Sequence, residues 1–192
     1  MVFIFLATGF EEIEATTTID IIRRAGIDVK IVSTTGEKTV TGAHNISLSA
    51  DLLFEDADFS KAKMLILPGG LPGTTNLEKH EGLLSLIRKQ NQAGKWIAAI
   101  CAAPSILGKM HLLRNLDATC YPGFEHLLNG ASYQDEKVVC DDKFVLANGP
   151  SSALLWALAI VREELGAEKS DSVAAGMLFY PVSDDQLDNI FG

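Results

Sequence analysis

The alternation of apolar periods at the start of the chain is the strongest constraint on its fold. Val2–Ala7 is a continuous apolar run that stops at Thr8-Gly9, the pattern of a buried strand. Ala15, Ile19 and Ile22 then recur at i, i+4 and i+7, with Arg23 and Arg24 in the last turn and Gly26 as the stop. Val29–Ser33 alternates apolar and polar as a second strand. Connections this short between strand, helix and strand leave only a parallel crossover.

The unit recurs further on. Met64–Leu67 is a compact apolar strand cut by Pro68-Gly69-Gly70, and Leu83, Leu84 and Ile87 mark a helix whose wet side carries Arg88, Lys89 and Gln92. Trp96–Ile100 is another buried strand, followed by Cys101 and a helix that Pro104 is suited to start. Lys137–Val139 and Phe144–Ala147, separated by a turn at Cys140-Asp141-Asp142-Lys143, predict an antiparallel hairpin near an edge. The last clear helix is expected from about Ser151, with Leu154, Leu158, Val161 and Leu165 on one face before Gly166. No repeat, low-complexity tract or linker interrupts the pattern. Residues 1–192 therefore read as one α/β domain: a flavodoxin-like, doubly wound, mostly parallel sheet with helices on both faces and an edge hairpin.

Composition excludes several classes. Of 192 residues, 47% are hydrophobic and 21% charged, which rules out disorder as the main state. The 16 basic residues against 25 acidic ones give a net charge of −9, so neither nucleic acid nor an acidic membrane surface is an expected partner. The longest apolar run, Ala153–Val161, is far short of the ~20 residues that span a bilayer. Met1–Ala7 lacks a basic flank, and Glu11 and Glu12 stand where a cleavage site would fall, so no secretory leader is expected. The three cysteines, Cys101, Cys120 and Cys140, form neither a disulfide framework nor a C-x-x-C metal motif. A reduced, cytoplasmic protein without a metal is the expectation.

In sheets of this kind ligands bind beyond the carboxyl ends of the strands. There lie Thr8–Glu14, Pro68–Thr75, Cys101–Pro104 and Asn148–Ser151, which should converge on one crevice. Cys101, between alanines at a strand-to-helix turn, follows the logic of a nucleophile elbow, where nearby N–H groups favour a thiolate and lower its pKa. A buried free cysteine also simply packs, which is the expected role of Cys120 and Cys140. Glu11, Glu12 and Glu14 suit the first turn of a helix on electrostatic grounds alone. One of them, turned toward Cys101 and out of water, would serve as a protonated donor, and spacing does not select which. Pro68-Gly69-Gly70 either ends a strand or brings backbone N–H groups to an oxyanion. No phosphate-binding glycine motif is present. The histidines, His44, His80, His111 and His126, fall in loops or helix edges and are expected at the surface.

Together, Gly9-Phe10-Glu11-Glu12-Ile13-Glu14, Leu67-Pro68-Gly69-Gly70, Ala98-Ala99-Ile100-Cys101-Ala102-Ala103-Pro104, Asn148-Gly149-Pro150 and Ala157–Val161 resemble the signatures of the DJ-1/PfpI superfamily. The likeness is to its DJ-1 branch, including bacterial members once labelled as thiazole-biosynthesis proteins, and runs from about Val2 to Ala175. The resemblance implies a flavodoxin-like homodimer. It puts Cys101 on the family's reactive, easily oxidised cysteine and Glu14 on the protonated glutamate that bonds the sulfur. Gly70 and Ala102 fall on positions whose N–H groups face a bound oxygen. Gly69, Tyr121 and Asn148 complete the expected oxyanion and substrate-binding set. The chain departs from the family in three places. Tyr121 stands where many relatives have a histidine before the residue matching Pro122, and a phenol is a poor base at neutral pH. Ala102 stands where the protease branch has histidine, which speaks against peptidase activity. Asn148 replaces the arginine of human-type sequences.

The function implied is a cofactor-independent glyoxalase or deglycase acting on a small carbonyl substrate: methylglyoxal-type dicarbonyls or their adducts. The alternative is a stress protein, redox-sensing or holdase-type, that uses oxidation of Cys101. The Asp184–Gly192 tail, with apolar Leu187, Ile190 and Phe191, is expected to dock on the body or on a partner subunit.

Overall fold

The computed structural model describes residues 1–179; the tail expectation lies outside them. The first crossover is as the periodicity predicts. Strand β1 (Val2–Leu6) leads through helix α1 (Glu12–Arg24) to β2 (Val29–Ser33), which pairs parallel to β1. Ala15, Ile19 and Ile22 face the sheet in one apolar cluster with Ile4, Leu6 and Ile31. Two short strands, β3 (Thr39–Thr41) and β4 (Ser47–Ser49), then form a hairpin apart from the main sheet, and β5 (Leu52–Leu53) adds a parallel edge to β2.

Strand β6 (Met64–Leu67), helices α2 (Gly73–Glu78) and α3 (Glu81–Gln92), and β7 (Trp96–Ile100) build the second crossover. Helix α4 (Pro104–Lys109) does begin at the proline. Strands β8 (Asp117–Ala118) and β9 (Ser132–Tyr133) make a separate small pair. Strand β10 (Val138–Asp141) turns at Asp142-Lys143 into β11 (Phe144–Ala147), and the chain closes with α5 (Ala153–Leu165) and α6 (Ala167–Gly176).

The sheet order is β10-β11-β7-β6-β1-β2-β5, antiparallel only at the β10 edge. The five longer parallel strands thus follow the flavodoxin order, and the order reverses between β1 and β6. Apolar clusters fill both faces of the sheet. Among the described residues no helix is long and apolar enough to cross a membrane.

The structure corrects four details. The hairpin turn is shorter than expected, because Asp142 adopts positive φ and lets Cys140 and Asp141 continue the ladder. Cys140 is exposed on that edge strand rather than packed in the core. On α5 the buried stripe is wider and rotated: Trp156 and Ile160 face the sheet, Ala157, Leu158 and Val161 face α1 and α6, and Leu165 is exposed. Helix α6 follows Gly166, whose positive φ redirects the chain, so α5 is not the last helix.

Candidate active site

The crevice forms where the strand order reverses. Cys101 follows β7 with φ of +63°, a left-handed conformation that is costly for a residue with a side chain. Two bonds hold it there: its N–H donates to the Ala147 carbonyl at 2.9 Å, and its own carbonyl accepts the Tyr121 N–H at 2.8 Å. Alanines at 102 and 103 and the Pro104 helix start leave the elbow uncrowded. The thiol is only 8% exposed.

Glu14 reaches the same point from the first turn of α1, with no exposed surface at all. Its Oε2 accepts the Gly69 N–H at 2.7 Å. Its Oε1 has no partner close enough to count as a hydrogen bond among the described residues. Gly69 is glycine because there is no room for more: a Cβ would stand 2.6 Å from the Cys101 Cβ and 2.9 Å from Glu14 Oε2. Gly70, at φ of +89°, packs its backbone on Gly9 and Glu11 and turns its N–H toward the cysteine.

The electrostatics are those of a coupled, buried pair. Burial pushes the Glu14 carboxyl up to about 7; the Gly69 bond opposes the shift, the Glu11 charge adds to it, and the Cys101 thiol opposes it. Burial, then the Glu14 carboxylate beside it, push the Cys101 thiol up to about 12, while the N–H groups of Gly70 and Ala102 pull it down. The expected lowering of the thiol therefore does not occur beside an ionised Glu14: two N–H groups do not offset desolvation and a neighbouring carboxylate. The raised glutamate does follow the expectation.

The three clustered glutamates have separate tasks. Glu11 caps α1, its Oε2 accepting the Glu14 N–H at 2.7 Å. Glu12 grips the β3–β4 loop: Oε1 accepts the N–H groups of His44 at 2.6 Å and Ile46 at 3.3 Å, and Oε2 meets His44 Nδ1 at 2.8 Å. Burial works to raise Glu12, but the bonds from His44 together with the backbone N–H groups of Glu12 and Ile46 outweigh it and hold the carboxyl below its usual range. Glu11, Glu12 and His44 place ligand-type atoms within 4.8 Å of one another. Protein donors already occupy Glu11 Oε2 and both Glu12 oxygens, and a helix N-terminus is electrostatically poor for a cation.

The structure brings Cys101, Glu14, Gly69, Gly70 and Ala102 together. Gly69 differs from its expected role, since its N–H is spent on Glu14 and is not free for substrate. Tyr121 lies on the rim, 45% exposed, its ring against Gly149. The Asn148 side chain turns to Ser152, accepting its hydroxyl at 2.6 Å, and makes no hydrogen bond to Cys101 or Glu14. The link between Glu12 and His44 was missed by sequence reasoning: they are 32 residues apart with no local signal. His44 itself is exposed as expected. Cys120 is buried, as core packing requires.

A doubly wound sheet with a cysteine elbow over a buried glutamate defines the class, and the DJ-1/PfpI family matches residues 1–163. The chain belongs to that family. It is 36% identical over 187 residues to Arabidopsis thaliana protein DJ-1 homolog B, covering 96% of this chain and 43% of that protein. It thus spans about half the length of the Arabidopsis DJ-1 homologues it matches. A deglycase of Pyrococcus horikoshii is 31% identical over 158 residues, covering 81% of this chain and 94% of that one. Among solved structures, oxidised Toxoplasma gondii DJ-1 superposes with a TM-score of 0.90 at 30% identity, over 94% of this chain and 98% of its own.

Proposed function

We propose that this chain is a cofactor-independent, cysteine-dependent enzyme of glyoxalase or deglycase type, acting on methylglyoxal-type dicarbonyls or their adducts. The observation that carries the reading is the buried Glu14 carboxyl, raised to about 7, against the Cys101 elbow. The deglycase among its relatives supports it. A thiol that is hard to ionise needs a base beside it, and a glutamate half-ionised near neutrality is one. As Sγ adds to the aldehyde carbon, Glu14 takes the thiol proton, and the N–H groups of Gly70 and Ala102 favour the new oxyanion. Glu14 returns this proton to the oxyanion and then carries the proton of the former aldehyde carbon to the adjacent carbon. The hydroxyl proton passes to the neighbouring carbonyl oxygen; the first carbon is oxidised and the second reduced. The resulting thioester is hydrolysed by one water, which frees the thiol and releases lactate from methylglyoxal. A cytoplasmic homodimer belongs to this reading on the family resemblance, and sedimentation tests the dimer. Lactate formation from methylglyoxal without glutathione, lost in Cys101→Ser, is the expected result; no lactate from the parent protein overturns the proposal.

A second reading, oxidation of Cys101 as a sensor, draws support from the relative solved in an oxidised form. Intact-mass spectra under graded peroxide should then show Cys101 oxidised before Cys120 and Cys140. Oxidation of exposed Cys140 first removes this reading.

A further inference from the structure

Helix α1 carries a second polar group buried without a partner. Thr18, wholly inaccessible, has a hydroxyl that bonds nothing among the described residues. Threonines in helices commonly spend the hydroxyl on the carbonyl one turn back, and Thr16 does so, donating to the Glu12 carbonyl at 2.6 Å. Thr18 makes no such bond to the Glu14 carbonyl. It stands one turn beyond Glu14 on the stripe Glu14, Thr18, Ile21 and Ala25, whose last two members pack with Ala157, Leu158 and Val161 of α5. The other unpartnered atom on the stripe is Glu14 Oε1. Side chains at i and i+4 are neighbours, with Cβ atoms roughly 6 Å apart. Two orphaned atoms on one buried face, one a donor and the other an acceptor when ionised, are too costly to be incidental.

We propose that Thr18 is a positioning residue for Glu14: once Oε1 has given up its proton, the Thr18 hydroxyl turns to it and donates the hydrogen bond it lacks. This rests on Glu14 as the proton carrier. While Glu14 is protonated, the Thr18 hydroxyl is idle. When the proton leaves for substrate and the sulfur is bonded to the substrate carbon, the thiol no longer donates; Oε2 keeps the Gly69 N–H and Oε1 is a buried anion without a donor. Rotation of Thr18 about χ1 aims the hydroxyl at the preceding turn, the one that carries Glu14. The titratable groups that bear on Glu14 are Glu11 on its own helix and Cys101 at the elbow; the 68–70 loop contributes backbone N–H only.

The test is a carboxyl carbon-13 NMR titration of Glu14 in the full chain, with the resonance assigned by Glu14→Gln. A donor to the ionised form lowers its titration midpoint, so Thr18→Val should raise that midpoint by about one pH unit. Thr18→Ser, which keeps the hydroxyl, should leave it in place. Thr18→Ala offers a second apolar variant of smaller volume with the same expected rise. An unchanged or lowered midpoint in the apolar variants overturns the proposal, whatever happens to their melting temperature. So does an equal rise in Thr18→Ser, since the cause would then be packing. Lactate formation is scored separately, so failure of the glyoxalase reading leaves this result standing.

Discussion

Glu14 Oε2 and the Gly69 N–H stand 2.7 Å apart across two crossovers of the sheet, and this one bond fixes the carboxyl beside Cys101. The position of the carboxyl accordingly depends on the loop at residues 68–70 keeping its place.

Turnover should separate the two members of the pair. Cys101→Ser should abolish lactate formation, and Glu14→Gln should lower it by about 10²- to 10⁴-fold, the usual contribution of a positioned acid–base group. Full activity in Glu14→Gln with none in Cys101→Ser would remove Glu14 as the proton carrier.

Stability should fall as pH rises through the Glu14 window. The folded-state value is near 7 and the unfolded one near 4.5, so the unfolded chain releases this proton first. The protonated carboxyl carries no penalty below about 4.5; a cost of up to about 3 kcal/mol develops between there and 7 and then levels off. Glu14→Gln should therefore melt several degrees above the parent at pH 8 and close to it at pH 4. Calorimetry across this range reads both slopes, and parallel slopes would count against a raised carboxyl.

His44 works in a different window. Its bond to Glu12 raises its pKa, so the ion pair is fully present below about 6.5 and is lost as pH rises through the folded value. Protection of the amides in residues 43–46 should fall above that range, and His44→Ala should lack the protection seen in the parent below it, the two converging at high pH. The Cys101 alkylation rate offers a control, since Glu12 rather than Glu14 holds this loop.

Gly69→Ala should damage fold and site together. The added methyl meets the Cys101 Cβ, Glu14 Oε2 and the Ile100 carbonyl, all within 3 Å. Overpacking of this kind costs about 1–3 kcal/mol, and Glu14 must leave its backbone donor. A melting temperature equal to the parent's would show that the loop moves freely.

The architecture was legible because its signals are local. Runs such as Met64–Leu67 and stripes such as Ala15, Ile19 and Ile22 report burial directly. Helix α5 departs from the single stripe its sequence predicts because it is covered on more than one side. Helix α6 has weak amphipathic character and follows a glycine that reads as a stop. At the site, the elbow was visible as small residues around Cys101. The tasks of Glu11 and Glu12 were not, since a cap and a loop bracket look alike until the loop is in place. The direction of the thiol shift depends on competition between desolvation and two N–H groups, which no motif encodes.

The Glu14–Gly69 contact joins residues 55 positions apart, and the sulfur follows a strand further along still. An emerging nascent chain therefore carries an ordinary cysteine and an ordinary glutamate until β1, β6 and β7 have paired. The chemistry comes into being late, as a property of the assembled sheet, and newly made or partly unfolded molecules are spared it.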